Sequence, residues 1–114
     1  MNNPILWMDY PDPDVIRVGN VWYMINTTMH LMPGGEILRS YDLTHWEHVT
    51  WLYEILEDTP GARLEDGKGI YSAGMWAATL RYRSGRFYVV FVSNDIREQG
   101  VSFLFTAEDI DGPW

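Results

Sequence analysis

Asp12 and Asp14 stand in Pro11-Asp12-Pro13-Asp14, directly ahead of an aromatic and β-branched run ending at Met24. Two uses compete for such carboxylates. Proline presets φ and aspartate accepts backbone hydrogen bonds, so the stretch reads as a turn that starts a strand. A carboxylate confined between prolines also suits a catalytic group held at the mouth of a β architecture, because the prolines limit backbone freedom around it. On these residues alone the turn is the simpler reading. Asp14 fits a strand-start hydrogen bond, its side chain accepting local backbone N–H groups.

Other chemistry-bearing residues form weaker patterns. His45 and His48 flank Trp46-Glu47 in an alternation typical of a solvated strand face, and their spacing is not that of a metal site. The acidic run Glu57-Asp58-Thr59-Pro60 and its continuation through Glu65-Asp66-Gly67 lack the ordered ligand series of a calcium loop, and read as a solvated insertion. No metal site is assigned. Asp95 and Glu98, in a loop after the sixth strand, receive no role. Cysteine is absent, which excludes disulfides and thiolate metal sites.

The elements that must position these groups are strands. Segments 14–18 and 21–28 flank Gly19-Asn20, a hairpin signal. Segment 36–41 follows Met32-Pro33-Gly34-Gly35, and 45–53 follows Asp42-Leu43-Thr44. Together they match one four-stranded antiparallel unit over about 10–53. Residues 54–73 lose the alternation and gain Asp, Gly and Pro, an excursion with room for a helical turn. The pattern restarts over about 75–114, with strands at 75–83, 86–94 and 101–107 around Ser84-Gly85. The halves echo each other. Arg17, Gly19 and Trp22-Tyr23 resemble Arg81, Gly85 and Phe87-Tyr88, while Asp42-Leu43-Thr44-His45-Trp46 resembles the Asp109–Trp114 run. Repeated four-stranded units with aromatic and glycine marks point to an all-β propeller, with an aromatic-rich sandwich as the alternative. Two blades cannot close a ring of about four to eight. The remainder of the propeller, or further copies of the chain, is therefore expected to complete it.

Composition narrows the partners. The chain has 114 residues, one domain's worth, is 46% hydrophobic, and carries a formal charge of −8. That charge argues against a nucleic-acid backbone as partner, and no apolar run is long enough to span a membrane. The N-terminus lacks a basic region followed by a long apolar run, so a cytoplasmic location is the expectation unless a leader was removed. Aromatics at 15% suit a β core or a sugar-stacking surface.

Taken together, Asn3 to Met24, Pro33 to Val49, Gly74 to Val92 and Glu108 to Trp114 resemble, in order and spacing, the N-terminal part of glycoside hydrolase family 43. The resemblance covers the whole chain. It implies a five-bladed propeller and inverting hydrolysis of xylosidic or arabinofuranosidic bonds in plant hemicellulose or its oligosaccharides. Where the commonest third motif has Trp-Ala-Pro, this chain has Trp76-Ala77-Ala78, similar to the branch of β-xylosidases and α-L-arabinofuranosidases. The family's general base falls on Asp12. Trp76 is implied as a substrate-binding residue, with a packed blade aromatic as its structural counterpart. His30, in the loop with Met29 and Met32 on the pocket side, is a second candidate substrate contact. No organic cofactor is implied. Some members hold calcium at the propeller centre, but no ligand set for it is identifiable in this segment. The general acid, a Glu, and a pKa-modulating Asp come from later blades, so the chain alone is expected to be inactive. A non-catalytic carbohydrate-binding or self-assembling propeller module is the rival reading.

Overall fold

The computed structural model describes residues 3–56, 59–61, 63, 65, 70–71, 73–94 and 100–114. Its strands are β1 (Asp14–Val18), β2 (Val21–Ile25), β3 (Gly34–Ser40), β4 (Glu47–Tyr53), β5 (Gly74–Met75), β6 (Thr79–Arg83), β7 (Arg86–Asn94) and β8 (Gly100–Ala107). The first four form one antiparallel meander in the order β1-β2-β3-β4. In the second sheet β7 is central, with β8 along one side and both β5 and β6 along the other. The single strand expected over 75–83 is thus two strands end to end, broken at 76–78.

The turns explain the register. Gly19 has φ +60° and sits first in a two-residue connection that closes on Val18–Val21, the conformation a type II′ turn requires. Ser84 and Gly85 both have positive φ and close on Arg83–Arg86, as a type I′ turn demands. The echo between the halves is structural. The Trp46 indole N–H donates to the Leu43 carbonyl at 3.2 Å, and the Trp114 indole N–H to the Ile110 carbonyl at 3.0 Å. Trp46 closes the turn from β3 to β4 and Trp114 the turn after β8, and these turns also contain the left-handed Leu43 and Gly112. His45 and Trp46 therefore belong to a turn, and β4 begins two residues later than the alternation predicts. Asp42 organises that turn by accepting the backbone N–H groups of Thr44 and His45. With the His45 ring added, these bonds hold its carboxyl well below the usual carboxylate range.

One cluster of buried side chains joins the two sheets. Ile25, Ile37, Leu52 and Tyr53 of the first sheet pack with Leu80, Phe87, Val89 and Phe91 of the second, all buried in one cluster. Phe91 stacks on Phe103 and Phe105 of β8, with ring centroids 5.4 and 5.8 Å apart. Along β7 alternate residues point away from this core, leaving Val90 and Val92 exposed, as Leu104 is on β8. In the excursion, Arg63 N–H donates to Thr59 O and Glu65 N–H to Pro60 O, a local turn of helical pitch. Asp95 and Glu98 lie outside the described residues.

Candidate active site

Asp12 is not on the first strand but two residues ahead of it. Its φ of +49° lies in the left-handed region, which aspartate tolerates better than most residues but which still costs about 1–3 kcal/mol. Two bonds offset that cost. Thr27 N–H donates to the Pro11 carbonyl at 2.9 Å, and the Thr27 hydroxyl donates to Asp12 Oδ2 at 3.2 Å. The partner is dictated by the hairpin. Asp14 pairs with Ile25, so two residues further from the same turn Asp12 comes opposite Thr27.

Asp14 does something other than the local backbone bonding expected of it. Its Oδ2 accepts the Thr79 hydroxyl at 3.0 Å, the Leu80 N–H at 2.8 Å and the Arg81 guanidinium at 2.6 Å. All three donors lie on β6, so Asp14 ties the start of β1 to the second sheet. Sequence-local reasoning missed this because the partners are 65 to 67 residues away. Burial pushes the Asp14 carboxyl up, but the Leu80, Thr79 and Arg81 bonds outweigh it and hold the group below its ordinary range.

A pocket of about 500 Å³ opens where the two sheets meet. Asp9, Pro11, Asp12, Thr27 and Met29 line one side, and Trp76, Ala77 and Val92 the other. Trp76 reaches it because the second sheet's inner strand breaks there. Met75 N–H donates to the Met29 carbonyl and Trp76 N–H to the Val92 carbonyl, both at 2.9 Å. The backbone on both sides of the ring is thus pinned while the side chain stays 50% exposed. Gly74, at φ +83°, lets the chain pass this close, since a Cβ there would run into the Met29 carbonyl.

Asp12 and Trp76 therefore share one pocket, as do Met29 and two residues sequence reasoning passed over, Asp9 and Thr27. His30 is not among the pocket's lining residues. Its ring packs against Tyr71, centroids 4.9 Å apart. His48 lies elsewhere, with Nδ1 2.9 Å from Glu36 Oε1 and its ring against Trp51. Among the described residues no group of three or more His, Asp or Glu is gathered closely enough to hold a metal ion. No helix among them is long and apolar enough to cross a membrane. Chemically, the site offers an exposed carboxylate bonded to a hydroxyl donor, with a half-exposed indole in the same pocket.

The chain is similar to known proteins along its whole length. A beta-xylosidase of Formosa agariphila is 38% identical over 112 residues, covering 98% of this chain and 18% of that protein. A non-reducing end alpha-L-arabinofuranosidase of Bacteroides ovatus is 35% identical over 113 residues, covering 98% of this chain and 20% of that protein. Among solved structures, a protein described as bifunctional GH43-CE from Bacteroides eggerthii superimposes with a TM-score of 0.92 at 37% identity, over 100% of this chain and 16% of that one. The chain thus spans about a fifth of the length of the curated relatives it matches. Its sheets are blades of the five-bladed propeller those neighbours share. With residues 1–114 all matched by the family model for glycosyl hydrolases family 43, the chain belongs to that family.

Proposed function

We propose that the chain is the segment of an inverting glycosidase that carries the general base, and that Asp12 is this base. The observation that carries the reading is the Asp12 carboxylate on the pocket wall, braced by Thr27 and sharing the pocket with Trp76. An ionised carboxylate only accepts hydrogen bonds. It can orient a water and take its proton as the oxygen attacks the anomeric carbon. A carboxylic acid on the opposite side, about 6.5–9.5 Å away in inverting enzymes, protonates the leaving oxygen. In this reading the acid is a Glu on a later blade, and the 114 residues alone do not turn over substrate. Trp76 offers its face to a sugar ring, and His30 is a candidate contact beyond the lining residues. The exposed faces bearing Val90 and Leu104 receive the rest of the propeller. The names of the relatives support a xylosidic or arabinofuranosidic bond as the one cleaved.

The test is Asp12→Asn in the complete propeller carrying this segment. Hydrolysis of aryl β-xyloside and aryl α-L-arabinofuranoside is expected to fall about 10²- to 10⁴-fold. NMR of the first sugar released by the parent should show the inverted anomer. Undiminished hydrolysis by Asp12→Asn would remove Asp12 from the role. A non-catalytic carbohydrate-binding module is favoured by one feature, the half-exposed Trp76 in a largely apolar pocket. It predicts sugar affinity that survives Asp12→Asn, with no hydrolysis by the parent.

A further inference from the structure

We propose that Thr27 is a positioning residue for Asp12, acting through its hydroxyl; this rests on the reading of Asp12 as the general base. Three observations carry it. Thr27 is 6% exposed, so its side chain is held by packing rather than by solvent. It contacts two consecutive residues, Pro11 through the backbone and Asp12 through Oγ1. Asp12 itself holds a left-handed φ, and the Thr27 hydroxyl is its side-chain hydrogen-bond donor among the described residues.

The two bonds have separable consequences. The backbone bond to Pro11 survives any side chain at 27 except proline, so it sets where the Asp12 backbone lies. The hydroxyl bond engages Oδ2, and so fixes the rotation of the carboxylate and leaves Oδ1 for water. Thr27 also lines the pocket, but its hydroxyl is committed to Oδ2. Loss of the hydroxyl therefore loosens the base while the rest of the side chain keeps its place. That predicts a fall in kcat at unchanged KM, because an interaction that matters for attack geometry is not one that binds ground-state substrate.

The experiment compares Thr27→Val, Thr27→Ser, Asp12→Asn and the Thr27→Val/Asp12→Asn double variant in the complete propeller. Valine keeps the shape and the backbone bond but removes the hydroxyl. It is expected to lower kcat about 10- to 100-fold, with KM and thermal midpoint held, in line with the cost of a slightly misplaced catalytic group. Serine restores the hydroxyl and most of kcat. In the Asp12→Asn background Thr27→Val costs no further activity, because there is no ionised base left to aim. Equal losses in Thr27→Val and Thr27→Ser, a rise in KM, or an undiminished Thr27→Val effect beside Asp12→Asn would each overturn the proposal. If Asp12→Asn is as active as the parent, the reading of Asp12 falls. If Asp12→Asn is inactive and Thr27→Val is not impaired, only the role of Thr27 falls.

Discussion

At the scale of single residues, Asp12 and Asp14 are separated by one proline and by their surroundings. The first is exposed at the pocket; the second is half-buried and bound to three donors on β6. Removing a charged acceptor from such a cluster costs about 1.5–3 kcal/mol. Asp14→Ala is therefore expected to destabilise the fold by that order at pH 7, measured by urea unfolding. The folded Asp14 carboxyl titrates below its unfolded value, so its contribution is complete above the ordinary carboxylate range and fades as pH falls through the folded value. The gap between parent and Asp14→Ala should accordingly narrow below about pH 4 and stay constant above about pH 5. A gap independent of pH would mean that the carboxylate charge is not what β6 holds.

At the scale of elements, the two hairpins can be tuned separately. Ser84 occupies a position of positive φ in a type I′ turn, where asparagine is favoured. Ser84→Asn is expected to raise stability by about 0.5 kcal/mol, seen as a higher thermal midpoint. Gly74→Ala should do the reverse and also displace Trp76, because it meets the Met29 carbonyl at φ +83°. Tryptophan fluorescence would report the displacement. Much of this was legible beforehand. The Gly19-Asn20 and Ser84-Gly85 signals locate both hairpins, and the antiparallel meander follows from strand spacing. The Thr27–Asp12 pairing was also available, by counting outward from the first turn. The break at 76–78 was not, since Met75 to Arg83 contains no Gly or Pro and Met29, which Met75 bridges, lies in a distant loop. Nor was the Asp14 tether, which depends on how the sheets come together. Long-range pairing leaves no local trace in composition or periodicity.

At the scale of the whole molecule, one buried cluster joins the sheets, so they should unfold together. Phe91→Ala removes a ring that is 2% exposed and stacked on two others, at an expected cost of about 3–5 kcal/mol. Amide exchange should then accelerate in β2 and β3 as much as in β7; loss of protection in the second sheet alone would show two independent units. The exposed Val90, Val92 and Leu104 face carries a different risk. At pH 7 the charge of −8 opposes association, and that opposition vanishes near the isoelectric point of about 4.6. Light scattering of the 114-residue chain should show its apparent mass rising between pH 7 and pH 5, and Leu104→Glu should suppress the rise. Thr27 belongs to the first sheet's side of the pocket, while Asp14 holds the second sheet, and Asp12 lies on the short span of chain between them. A change in how the sheets pack is therefore expected to shift the Asp12 carboxylate as well, which chemical-shift changes at residues 11–14 in Phe91→Ala would report.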